Sequence, residues 1–205
     1  MRKEEKSEIT RTKILKAAEN EFSEKGFFGA RVDEIALASG VNKRMIYAHF
    51  ENKSGLYSAV LISVYKRLAE CEREFCVEEA APDVAIKNSV LVGFRFLKEN
   101  PAFVRMLMWE NLSYAYTVSS EELQSTREPT ISYLKRQIRR GISLGIFKEG
   151  IDEYQVALSV LSFPFAYFSN IHTFSKVFGK NMRDATEIEK RAEFVAEIIL
   201  QRLLK

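Results

Sequence analysis

The chain has 205 residues, of which 46% are apolar, with 15 Phe and 8 Tyr but only 9 Gly and 4 Pro. That composition excludes a largely disordered chain and points to helices, because turn-forming residues are scarce while strong helix formers abound. The net charge is +3, too small for a nonspecific nucleic-acid coat, so any DNA binding must rest on a few placed cations.

The first eight residues are charged and read as a frayed start. Ile9, Ile14, Leu15, Ala18 and Phe22 then recur at helical spacing, with Ser7 or Thr10 as possible caps. This helix is expected to stop near Gly26, where glycine can take a left-handed conformation. A second helix starts at Val32–Asp33, with Val32, Ile35 and Ala36 as its apolar face. Ser39-Gly40 reads as a tight turn. A third helix of about eight residues follows, with Asn42 as its cap and Val41 stapled onto Ile46. Ile46 and Phe50 point inward, while Lys43, Arg44, Tyr47 and Ala48 fall on the opposite face.

Residues 51–55 form a polar break. A long helix is expected from Leu56 to Phe75, with others over 83–99, 102–113, 121–144, 152–178 and 184–204. Pro82 can open one of these helices, and Pro164 should kink or end another. No strand-like alternation and no internal repeat is present, so the fold class is all-α. Two units are expected: residues 1–60, and a larger helical unit over 61–205.

The second and third helices with their turn make a helix-turn-helix pattern. A short helix with an apolar rear face can lie in the DNA major groove, and its N-terminal residues then reach base edges. The pattern alone leaves open a plain helical corner with solvated cations. The run RVDEIALASGVNKRMIYAHFENKSGLY (31–57) resembles the DNA-binding domain of the TetR (tetracycline repressor) family. The features that carry the resemblance are Gly26-Phe27, Val32 with Ile35-Ala36, Gly40-Val41, Ile46-Tyr47, His49-Phe50, Lys53 and Leu56. Asn42 takes the place of the usual serine cap. The resemblance is clear over residues 9–60 and fainter beyond.

The resemblance implies a ligand-responsive regulator, usually a repressor, that binds a double-stranded inverted-repeat operator as a homodimer. Its DNA contacts would be Asn42, Lys43, Arg44, Tyr47, His49 and Lys53. Ala30 stands where many members have a phosphate-binding threonine, and Arg31 could supply that contact instead. Arg44 stands where many have a small residue. His49 could equally pack beside Phe50.

In the C-terminal part, Phe94, Met106, Trp109, Leu112, Tyr116, Phe165 and Phe168 could line a ligand pocket for a small-molecule effector, with Glu110 as a polar handle. The same aromatics could be ordinary core. Ile188, Ala192, Val195, Ala196, Ile199 and Leu203 follow helical spacing. This last helix and the one over 152–178 could pair with their symmetry mates, or merely close the monomer core.

No catalytic order of Ser, His and Asp, no metal-ligand cluster and no cofactor motif is visible. Cys71 and Cys76 read as reduced thiols. The charged first ten residues carry no signal peptide, and no apolar run could span a membrane, so a cytoplasmic protein is expected. The competing readings are a DNA-binding protein without a ligand, and a helical small-molecule carrier or enzyme.

Overall fold

The computed structural model describes residues 3–75, 77–115, 117 and 119–205, and it is helical almost throughout. Ten helices follow one another among the described residues: α1 (Lys3–Gly29), α2 (Val32–Ser39), α3 (Lys43–Phe50), α4 (Lys53–Phe75), α5 (Pro82–Glu99), α6 (Pro101–Leu112), α7 (Ser120–Ser143), α8 (Glu153–Ser169), α9 (Ile171–Val177) and α10 (Ala185–Leu203). They form two compact units. The first comprises residues 1–66 and 102–124, so α6 joins α1–α3; the second comprises residues 67–101 and 125–205.

The first unit is built on Ile14, Ala18, Phe22, Ile35, Ile46, Leu56 and Tyr57, all fully buried. The Tyr57 ring meets the edges of Phe22 and Phe27 at 4.8 and 5.3 Å between centroids. In the second unit α5 is the central helix and packs on both α8 and α10. Gly93 of α5 lets α8 approach closely, since a β-carbon there would stand 3.1 Å from Pro164 Cγ.

Several boundaries differ from the sequence expectation, each for a local reason. Helix α1 already includes residues 3–8, expected to fray. Ser7 and Thr10 therefore lie inside it and cap nothing; the Thr10 hydroxyl donates back to the Lys6 carbonyl. The α-helical path breaks at Gly26 (φ 66°, ψ −179°), and one further helical turn follows. Helix α4 starts at Lys53 rather than Leu56, because the Asn52 side chain accepts from the Gly55 N–H and so starts it early. The expected helix over 152–178 is two helices separated at Asn170, without glycine or proline at the break. Pro164 neither ends α8 nor departs from its helical path. Its ring is buried against the space left by Gly93. Among the described residues no helix is long and apolar enough to cross a membrane. Cys71 is half-buried, and burial pushes its thiol pKa up. Cys76 lies outside the described residues.

Candidate nucleic-acid interface

The turn between α2 and α3 is fixed by backbone chemistry. Gly40 takes a left-handed conformation (φ 66°), and its N–H reaches the carbonyls of Ala36 and Leu37. The Val41 N–H bonds to Ala36 O at 3.2 Å. These bonds satisfy carbonyls that the end of α2 would otherwise leave open. Two residues later Asn42 Oδ1 accepts the Met45 N–H at 2.9 Å and caps α3.

Helix α3 has two distinct faces. Ile46 and Phe50 are buried, whereas Asn42, Lys43, Arg44, Tyr47 and Ala48 are exposed. His49 is half-buried with its ring 6.0 Å from that of Phe50. Arg11 of α1 also lies over Phe50, with its guanidinium 5.5 Å from the ring centre. The rear of α3 is thus anchored and its front is exposed.

The cations around this face are not equivalent. Lys43 Nζ contacts both oxygens of Asp33 on α2, at 2.9 and 3.1 Å. That hydrogen bond raises the Lys43 pKa; desolvation works against it, and the charges of Asp33 and then Tyr47 add to the rise. Arg31 is exposed and precedes α2, and its backbone N–H donates to Glu21 Oε1 at 3.0 Å. Burial alone would raise the Glu21 carboxyl. Hydrogen bonds from Lys25 and from the Arg31 N–H, with the charges of Lys25 and Lys53, outweigh it and hold the carboxyl below its usual value. Lys53 opens α4 with its ammonium 5.1 Å over the Phe27 ring. Burial lowers its pKa, and the charge of Glu21 works in the other direction. Ala30 is buried, so its side chain has no access to a phosphate.

Sequence reasoning missed Glu21, which holds the Arg31 backbone, and took Asp33 only as part of a helix start rather than as the partner of Lys43. Acidic residues in a DNA-binding segment carry no such signal until the fold brings them within reach of the cations.

The residues expected to line a pocket are distributed over both units. In the second, Phe94 and Phe168 are buried with ring centroids 6.0 Å apart, and Phe165 is half-buried. In the first, Met106 is fully buried and Leu112 is mostly exposed. The Trp109 indole lies on Gly26, where a β-carbon would stand 2.8 Å from Cδ2, and its Nε1–H donates to the Ser23 carbonyl at 3.3 Å. Glu110 is buried and accepts from the Thr117 hydroxyl at 2.6 Å and the Thr117 N–H at 3.1 Å. Beside it the buried Tyr57 hydroxyl lacks a hydrogen bond of normal geometry. Desolvation, then the Glu110 charge, raises the Tyr57 pKa far above its ordinary value. Tyr116 lies outside the described residues. None of the seven described candidates lines the two cavities found in the second unit, of about 540 and 240 Å³.

The smaller cavity borders a buried polar network that no sequence pattern announces. Arg127 holds Glu72 through two bonds of 2.8 and 2.9 Å, and the Thr130 hydroxyl donates to the same carboxylate at 2.6 Å.

Comparison with known proteins places this geometry. Residues 14–60 match the model of bacterial regulatory proteins of the tetR family, and residues 82–199 match the tetracyclin repressor-like C-terminal domain. The chain belongs to the TetR family. It is 28% identical over 200 residues to the HTH-type transcriptional repressor NicS of Pseudomonas putida, covering 97% of this chain and 94% of that one. It is 30% identical over 146 residues to the HTH-type transcriptional repressor SCO4008 of Streptomyces coelicolor, covering 70% of each. Among solved structures, a tetR-family regulatory protein from Rhodococcus superposes with a TM-score of 0.75 at 20% identity, over 95% of this chain and 96% of that one. The transcriptional regulator FadR from Bacillus subtilis, in complex with stearoyl-CoA, superposes with a TM-score of 0.74 at 17% identity, over 93% and 98%. This TetR-family chain is a DNA-binding transcriptional regulator.

Proposed function

We propose that the chain is a homodimeric repressor that binds an inverted-repeat operator and is released from it by a small apolar or aromatic effector. The observation that carries this reading is the two-faced α3: Ile46 and Phe50 are anchored below, and Lys43, Arg44 and Tyr47 are presented beside a capped N-terminus. That helix end favours DNA phosphate, and its first-turn side chains reach base edges. Asn42, Lys43, Arg44 and Tyr47 face the groove in this reading. Arg31 and Lys53 hold the backbone, and His49 touches phosphate at the edge. The DNA-binding domain is residues 1–60, with effector binding and dimerisation in 61–205.

Dimerisation through α8 and α10 is supported by apolar side chains left open on them. Tyr154 and Leu158 on α8, with Phe194 and Ile198 on α10, are all substantially exposed at helical spacing. Repression is supported by the two relatives named as repressors. Effector control is supported by the stearoyl-CoA held in a neighbour of the same fold and by the cavities of the second unit. The effector would favour a dimer whose reading heads no longer match the operator, so effector and DNA weaken each other reciprocally. The protein works in the cytoplasm, where its operator is.

The test is selection from a random DNA library at about 150 mM salt, where nonspecific binding is weak. Wild type, stripped of bound small molecules, is run beside a Lys43→Ala/Tyr47→Ala double variant. An inverted repeat enriched by wild type alone is the expected result. No enrichment, or the same repeat recovered by the double variant, overturns the assignment.

A further inference from the structure

The larger cavity lies in the second unit, among the C-terminal part of α8, the short α9 and the start of α10. Its volume of about 540 Å³ falls in the range that holds small organic ligands. Phe163, Phe174, Phe178 and Met182 give it apolar walls. The segment that closes it is pinned in place. The Tyr167 hydroxyl donates to the Met182 carbonyl at 2.7 Å. The Ser175 hydroxyl accepts the Met182 N–H at 3.1 Å and donates to Ile171 O at 2.6 Å. Even so, Phe178 leaves 64% of its surface to solvent, an exposure that an apolar occupant would relieve.

Charge is concentrated at the rim. Glu187 faces both Lys180 and Lys190, at 3.7 and 3.4 Å. Arg191, which also lines the cavity, has no ion pair or hydrogen bond among the described residues. Its guanidinium rests on the Phe194 ring, 5.6 Å from the centre. Two lysines therefore share one carboxylate, and the guanidinium, with its fork of donors, is the cation left without an anion. An apolar cavity beside an unpaired guanidinium complements a molecule with a hydrocarbon body and a carboxylate head.

We propose that the α8–α9–α10 cavity binds a small amphiphilic organic anion, its apolar body against Phe163, Phe174 and Phe178 and its carboxylate on Arg191. The consequence for DNA release rests on the regulator reading above, because α8 and α10 are the helices assigned there to dimerisation. The binding itself does not rest on it.

The experiment titrates full-length protein, without DNA, with sodium octanoate and with uncharged 1-octanol by isothermal calorimetry. Wild type is expected to bind octanoate saturably, and octanol at least about tenfold more weakly, because the charged hydrogen bonds are missing. Arg191→Gln should lose about tenfold or more of the octanoate affinity and leave octanol unchanged. Ala166→Trp, which fills the cavity from α8, should abolish both. Both variants are checked for unchanged helical content. No octanoate binding by wild type, or equal octanoate affinity in all three proteins, overturns the site. If sedimentation instead shows that the variants shift the monomer–dimer balance while octanoate affinity stays constant, the occupant is a second copy of the chain, and the proposal fails. Loss of operator recognition in the library selection would sink the regulator reading alone, since no DNA enters this titration.

Discussion

Substituting Gly26 by alanine tests the joint between α1 and Trp109. At φ 66° and ψ −179° the residue occupies a conformation open to glycine and strained for any L side chain. Holding alanine there costs about 1–3 kcal/mol. The new β-carbon would also stand 2.8 Å from Trp109 Cδ2, so the indole must move. Moving it breaks the 3.3 Å bond from Nε1 to the Ser23 carbonyl, worth about 1 kcal/mol. The combined loss for the first unit is therefore about 2–4 kcal/mol. Urea unfolding followed by circular dichroism measures it, and emission from Trp109, the sole tryptophan, reports the joint itself. In a Trp109→Ala background the clash is gone, and the backbone cost of about 1–3 kcal/mol should remain. A Gly26→Ala protein within about 0.5 kcal/mol of wild type, with unchanged tryptophan emission, would refute both the strain and the contact.

Other perturbations have equally definite outcomes. Lys53→Ala should weaken DNA binding uniformly across sequences and reduce the salt slope by about 1, measured by fluorescence anisotropy at several salt concentrations. A loss confined to one base position would contradict a phosphate role. Asn42→Ala should destabilise the first unit by about 0.5–2 kcal/mol in thermal unfolding, while Asn42→Ser, which keeps a capping oxygen, should restore most of it. Arg127→Ala leaves Glu72 buried without its partner and should cost about 3–5 kcal/mol in urea unfolding, whereas a Glu72→Leu/Arg127→Met double variant should recover most of that loss. The raised Tyr57 pKa means that the folded state favours the neutral phenol. Its contribution is fully present below the ordinary tyrosine pKa and is lost as pH rises above it. Tyr57→Phe should therefore leave stability at neutral pH nearly unchanged and move alkaline unfolding to higher pH, followed by circular dichroism against pH.

The helix-turn-helix was legible because everything that shapes it is local. Gly40, Asn42, Ile46 and Phe50 lie within eleven positions, and turn, cap and periodicity each act over one helical turn. Which aromatic residues border the two cavities of the second unit was not legible, because aromatic residues at helical spacing pattern identically whether they fill a core or border a cavity. Met106 is solid core and Trp109 packs on a glycine 83 positions earlier in the chain, while the larger cavity uses Phe163, Phe174 and Phe178 instead. The Glu72–Arg127 pair is separated by 55 positions, and no sequence pattern marks two oppositely charged residues as partners over that distance. The break at Asn170 likewise had no glycine or proline to announce it. Nor does the sequence show that the Pro164 ring, buried on α8, faces the space left by Gly93 of α5.

That arrangement ties the histories of two distant positions together. With Pro164 in place, a side chain at position 93 meets the pyrrolidine ring at 3.1 Å, so the two helices must part by a few tenths of an ångström before any larger residue fits. Replacing the proline first removes the obstacle and restores a backbone donor to α8. The order of substitution therefore matters: changing 164 before 93 avoids this close contact, and the opposite order passes through it. Among relatives, a small residue at the position of Gly93 should accompany proline at the position of Pro164, and the pair should vary as one unit.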